Sequence, residues 1–233
     1  ETGEDSRSFG PFVNGQSAYF LSLNRGKQSI ALDLKDEADR VVFDRLLGRA
    51  DVLVENFRAG TMHKLGYGWD AVHARFPKLV YAACSGFGQT GPYAQRPAYD
   101  MVVQGMGGVM SLTGHPGGPP TRVGSSIGDL AAGMFAAAGI NAALFERTRT
   151  GKGAMIDIGM LDCQVALLEN AIVPTSFFQL SDEDTGDDGM EVGEVYAYYE
   201  VDQLYELKPK YEAIQFEKII GPLPEQHAWT IFG

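Results

Sequence analysis

The chain alternates short apolar runs with stretches of helical periodicity. SIALDL (29–34) reads as a short strand. Asp36 then caps an expected helix that runs to about residue 48, with Val41, Val42, Leu46 and Leu47 at helical spacing. DVLVENF (51–57) is a nearly continuous apolar run, as in a strand buried on both faces. AGTMHKLG and GWDAVHARF read as two short helices, the second ended by Pro77. KLVYAACSGF (78–87) is a further buried strand, followed by a Gly- and Pro-rich loop over 88–100. DMVVQGMGGVMSL reads as helical despite its glycines, and TGHPGGPPTRVGS (113–125) as loop. GDLAAGMFAAAGINAALFERTRTG (128–151) is a long Ala-rich helix ending at Gly151. AMIDIG (154–159) is a strand, and MLDCQVALLENAIV starts a helix directly after it.

Apolar strands that alternate with helices are the signature of an α/β domain with a mostly parallel sheet flanked by helices. Ligands of such sheets sit beyond the carboxyl ends of the strands. The pattern changes near residue 175, where the chain becomes acidic and Tyr-rich. EVYAYYEVDQLYEL fits a strand and an amphipathic helix equally well. The expected division is residues 1–175 as the α/β portion and 176–233 as an acidic extension of unassigned fold.

Charge sharpens that boundary. Residues 1–170 hold 16 Lys+Arg against 17 Asp+Glu, while 171–233 hold 3 against 13, so nearly all of the net −11 sits in the tail. No basic stripe exists to neutralise phosphates, and nucleic acid is not an expected partner. No apolar run approaches the length needed to cross a bilayer, so no membrane partner is expected either. Two cysteines far apart in sequence, Cys84 and Cys163, make no disulfide framework and point to a reducing, intracellular setting. The acidic, Gly-rich start ETGEDSRSFG is no signal peptide and lacks an initiator methionine, so the chain is expected to begin inside a longer one.

Phosphate-loop, dinucleotide-binding and nucleophile-elbow motifs are absent. The four histidines lack metal-ligand spacing and neither cysteine lies in a CxxC, so no metal is expected. What remains is carboxylate chemistry at the strand ends. Asp162 lies just past AMIDIG at the start of a helix, where backbone N–H groups favour an anion. Read from spacing alone, it either caps that helix or serves as a nucleophile.

ENFRAG (55–60), SGFGQTGPY (85–93), AYD (98–100), GDLAAG (128–133), RTRTGKG (147–153) and IDIGMLD (156–162) stand in the order and spacing of the class III CoA-transferases, the formyl-CoA and carnitine CoA-transferase family. The chain resembles that family over roughly residues 1–172. The resemblance implies a Rossmann-like fold, incomplete here. The family has a first strand and helix before the point where this chain begins, and a smaller domain beyond its nucleophile. It implies an acyl-CoA:carboxylate CoA-transferase with Asp162 as the nucleophile, coenzyme A as the thioester substrate, and a small carboxylic acid as the partner substrate. Arg7 matches the arginine near the CoA nucleotide, and Asn24, Arg25 and Lys27 lie in a stretch leading into the same site. Asn56 and Phe57 match the segment packing along the adenine and pantetheine, and Ser85, Gly86 and Phe87 the loop facing the thioester. Tyr99, Asp100 and Asp129 are implied around the acid substrate. Without the resemblance, Phe57 would be read as plain core and Arg7 as a surface residue.

Two rival readings accompany it. α-Methylacyl-CoA racemases share the fold family, but their base histidine stands where this chain has Tyr99, and they carry glutamate where it has Asp162; both differences favour transfer. Alternatively, a catalytically incomplete chain acts as a binding or assembly component. Family members form interlocked homodimers, so either a second copy or a partner chain is expected to supply the missing segments. The implied location is the cytoplasm, or the mitochondrial matrix or peroxisome in a eukaryote.

Overall fold

The computed structural model describes residues 4–115 and 118–168, together with a backbone strand at Ala228–Thr230. The acidic stretch over 176–233, expected as an extension of unassigned fold, otherwise lies outside the described residues. The chain divides into two compact units, Glu1–Leu46 and Leu47–Gly233.

The first unit opens with a 3-10 turn at Asp5–Ser8 and a two-residue antiparallel hairpin, β1 (Phe12–Val13) with β2 (Gln16–Ser17). Asn14 and Gly15 at the tip both take positive φ, as a tight hairpin turn demands. Ser17 caps α1 (Ala18–Asn24) by accepting the Phe20 N–H at 3.0 Å. The strand expected at 29–34 is not formed. Its residues have no partner strand among the described ones, and the backbone enters a turn instead, in which Asp33 N–H donates to Asp39 Oδ2 at 2.7 Å. Asp36 caps α2 (Glu37–Leu47) as expected, with Oδ1 accepting from the N–H groups of Ala38 and Asp39.

The second unit is a parallel sheet covered by helices. β3 (Val52–Glu55), β4 (Val80–Ser85) and β5 (Met155–Gly159) lie in the order β3-β4-β5, and the backbone strand β6 (Ala228–Thr230) pairs with β5. Between β3 and β4 run α3 (Thr61–Lys64) and α4 (Trp69–Arg75); α5 (Asp100–Met106), α6 (Val109–Leu112) and α7 (Ile127–Thr150) intervene before β5, and α8 (Met160–Leu167) follows it. β4 is central and buried from Val80 to Ala83. β3 is an edge strand among the described residues, with Val54 56% exposed, so its apolar run does not mean burial on both faces. The helix expected over 100–112 breaks in two, because Gly108 turns into the left-handed region at φ 82°.

The core lies where α7 crosses the sheet. Val80, Ala82, Ile156 and Ile158 meet Ala131, Ala136 and Ala143 of α7 and Cys163 of α8. Alanine on that face lets helix and sheet backbones approach closely. By length and composition α7 also satisfies what a bilayer span requires, contrary to the expectation that no run would; here its alanine stripe packs on β4 and β5. Arg147 ties its last turn to the amino ends of the strands, donating to the Lys78 carbonyl at 3.0 Å and to Asp51 Oδ1 at 2.8 Å.

Two glycines with opposite surroundings test this packing. A Cβ on Gly153 would run into the Leu79 carbonyl, whereas one on Gly133 in α7 meets nothing within 4 Å. Gly153→Ala is expected to lower unfolding free energy by about 1–3 kcal/mol. Gly133→Ala is expected to raise it by about 0.5–1 kcal/mol, both read from urea unfolding midpoints.

Candidate active site

The carboxyl edge of the sheet is built on one register row. Glu55 of β3 pairs with Ala83 of β4, and Ala83 pairs in turn with Asp157 of β5. Each acid holds a backbone that has left the sheet. A Glu55 carboxylate oxygen accepts the Phe57 N–H at 2.8 Å, fixing the turn out of β3. Asp157 accepts the Gln89 N–H with both oxygens, at 3.1 and 2.9 Å, fixing the loop out of β4 from 68 residues away. Burial pushes the Glu55 carboxyl above its ordinary value of 4.5; the Phe57 N–H opposes the shift and the Asp157 charge adds to it.

Asp162 stands in the first turn of α8, immediately past β5, and is half-buried. The β4 loop comes directly against it. Leu161 N–H donates to the Gly86 carbonyl at 3.0 Å. A Cβ on Gly159 would lie 2.5 Å from Asp162 Oδ2 and 3.1 Å from the Gly88 nitrogen, so carboxylate, strand end and loop backbone share one small space. Gly88 makes the turn at φ 78°. A Cβ on Gly86 would meet Ala98 in the same way. On this loop Ser85 Oγ and Gln89 Nε2 are buried without a hydrogen-bond partner among the described residues. Such groups are costly to leave unpaired and are satisfied by a ligand or water that approaches the loop.

Of the other residues singled out from sequence, Phe57 is 48% exposed and so is not plain core, and Asn56 beside it is also exposed. Phe87 is half-buried and packs on Tyr93 with ring centroids 5.5 Å apart. Tyr99, Asp100 and Asp129 form a second group at the starts of α5 and α7. Asp100 Oδ1 accepts the Gly128 N–H at 2.8 Å and its Oδ2 accepts Gln104 Nε2 at 2.8 Å, so this acid holds the start of α7. Burial raises the Asp129 carboxyl, and the Asp100 charge raises it further. Tyr99 is 79% exposed. Arg7, Asn24, Arg25 and Lys27 all belong to the first unit. There the Arg7 guanidinium lies 4.0 Å from the centre of the Phe20 ring, and Lys27 Nζ donates to Asn24 Oδ1 at 3.0 Å. Arg25 is exposed at the end of α1.

Two thiols flank the edge. Burial pushes Cys84 up to about 11, with the charges of Glu55 and Asp157 adding to the effect. Cys163 is pushed up to about 12 by burial, then by the Asp162 charge. A cavity of about 460 Å³ lined by Arg49, Asp51, Lys78 and Arg147 lies at the amino ends of β3 and β4, the far end of the sheet from Asp162.

The sequence pattern of CoA-transferase family III matches residues 1–216. The chain belongs to CoA-transferase family III. Its relatives include an acetyl-CoA:oxalate CoA-transferase of Acetobacter aceti, 53% identical over 172 residues, which make up 73% of this chain and 44% of that protein. The succinyl-CoA:glutarate CoA-transferase of Mus musculus is 44% identical over 167 residues, 71% of this chain and 38% of that protein. Among solved structures, a CAIB/BAIF family protein from Brucella suis superposes with a TM-score of 0.70 at 42% identity, covering 73% of this chain and 47% of that one. The chain thus spans less than half the length of these family III proteins. Glu55, Asp157 and Gln89 lie inside the motifs ENFRAG, IDIGMLD and SGFGQTGPY, yet none of the three is among the residues expected at the site. Their signal was there: a single carboxylate inside an otherwise apolar strand has to be paired with something.

The raised Glu55 carboxyl gives a pH prediction. Its folded-state value lies above the unfolded one, so its contribution to stability is intact below 4.5 and declines as pH rises through the raised value. Glu55→Gln keeps an acceptor for the Phe57 N–H and removes the titration. The variant is expected to gain stability relative to the parent as pH climbs above 4.5, read from urea unfolding across that range.

Proposed function

We propose that the whole protein is an acyl-CoA:carboxylate CoA-transferase with Asp162 as its covalent nucleophile. The observation that carries this reading is the placement of Asp162: a half-buried carboxylate at a helix start, past the carboxyl end of a parallel strand, against a glycine loop. Family III membership and relatives named for oxalate and glutarate transfer support it. They also support a small dicarboxylic acid as the acceptor.

The chemistry balances without an outside energy source. Asp162 attacks the thioester carbonyl, the carbon–sulphur bond breaks, and CoA leaves as thiolate, which leaves a mixed anhydride on Asp162. The thiolate attacks the aspartyl carbonyl of that anhydride and the donor acid leaves as carboxylate. The acceptor carboxylate then attacks the aspartyl-CoA thioester and expels thiolate. Thiolate attack on the acceptor's carbonyl yields the new acyl-CoA and frees Asp162. Backbone N–H groups of the Gly86–Gly88 turn are suited to steady the oxyanions, and water has to be kept from the anhydride.

The remaining roles follow the same reading. Arg7 and Arg25 serve the CoA phosphates, where a planar guanidinium suits bidentate contact. Asn24 and Lys27 support that end, and exposed Phe57 with Asn56 receives the adenine and pantetheine. Ser85, Gly86 and Phe87 face the thioester. Tyr99, Asp100 and Asp129 surround the acid, with Asp100 also setting the start of α7. The reading includes a homodimer, supported by the outward apolar residues Leu130, Met134 and Phe145 of α7, which are 54%, 60% and 68% exposed.

The test uses the full-length protein incubated with acyl-CoA and then hydroxylamine. A hydroxamate is expected on Asp162 by peptide mass mapping. Asp162→Ala is expected to lose the adduct and to slow transfer by on the order of a thousandfold or more. Transfer at the parent rate in that variant would remove the assignment.

A further inference from the structure

We propose that Asp157 is a positioning residue for acyl transfer: it anchors the β4 loop so that the loop's backbone, with two unpaired donors on it, is held beside Asp162. This rests on the transferase reading above and adds a residue to it. The loop is tied at two points. Gly86 is held to α8 through the Leu161 N–H at 3.0 Å, one residue before Asp162. Gln89 is held to β5 through both Asp157 oxygens. Only Phe87 and Gly88 lie between, and Gly88 is in the left-handed region. A Cβ there would stand 3.4 Å from Asp157 Oδ2, so the turn folds directly over the carboxylate that fixes it.

Strand geometry assigns the residue this task. Along β5, Asp157 and Gly159 point to the same face, and Gly159 leaves the space that Asp162 Oδ2 and the Gly88 nitrogen occupy. One strand therefore supplies the anchor, the gap and, a turn later, the nucleophile. The loop it fixes carries Ser85 Oγ and Gln89 Nε2, both buried and without a partner among the described residues. Two donors without partners, one on Ser85 just before the doubly tied turn Gly86–Gln89 and one on Gln89 at its end, are suited to a carbonyl or carboxylate oxygen brought to the neighbouring Asp162 carboxylate. A loop whose only task was to leave the sheet would not need its donors kept unpaired. Asp157 itself touches no reacting atom in this scheme; it acts through the loop.

The test compares the full-length parent with Asp157→Asn, which retains one acceptor oxygen, and Asp157→Ala, which retains none. In Asp157→Ala, kcat for CoA transfer is expected to fall about tenfold to a hundredfold while KM for acyl-CoA stays within about threefold, as expected when alignment rather than binding is lost. Asp157→Asn should fall in between. Hydrogen exchange supplies a readout independent of activity: the Gln89 amide should lose protection in Asp157→Ala while the β4 and β5 amides keep theirs. A lowered melting temperature with kcat unchanged would make Asp157 merely structural and overturn the proposal, as would unchanged Gln89 protection. If the parent itself forms no adduct on Asp162, the transferase reading falls first, and the exchange measurement still decides whether the anchor exists.

Discussion

At the end of a parallel sheet every strand must hand its backbone to a loop, and the hydrogen bonds that held it straight have to be replaced. Here two carboxylates in one register row meet that demand, Glu55 for the exit from β3 and Asp157 for the exit from β4. Charged groups are expensive at buried positions, and the upward shift of Glu55 reflects that cost. What they accomplish is geometric: two loops leave adjacent strands in fixed directions, and the second is pressed against the turn that bears Asp162. A neutral side chain at either place would be cheaper to bury but would hold the amide less firmly.

The strands β3, β4 and β5 and the helices α2 and α7 were legible in the sequence because periodicity and composition agree there: apolar runs bounded by turn residues, and an Ala-rich helix closed by Gly151. Three elements were misread, each for its own reason. SIALDL has strand composition, but a strand exists only by pairing, and these residues pair with no strand among the described ones. The run over 100–112 has helical periodicity, but the local backbone freedom of Gly108 decided otherwise. β3 looked doubly buried because an apolar run does not reveal whether its strand is central or at the edge.

The site was legible only in part. Asp162 could be placed from its position after a strand, and the family motifs drew attention to the residues around it. The anchors could not be assigned, because the Asp157–Gln89 contact joins residues 68 apart and appears only when β4 and β5 are set in register. Asp100 illustrates the converse. Its motif marks it for the substrate, and the fold adds a task that the motif does not show: its oxygens accept from Gly128 and Gln104 and so fix where α7 begins.

The burial of Cys84 and Cys163 bears on what the acyl-carrying carboxylate proposed for this site can tolerate nearby. A sulphur nucleophile beside an activated acyl group is a natural trap: capture would give a stable protein-bound dead end and cost the molecule its activity. Capture requires thiolate, and with the two thiols held up at about 11 and about 12, almost none exists near neutrality. Burial first, and the neighbouring carboxylates after it, thus keep both thiols of the chain out of the chemistry proposed for Asp162.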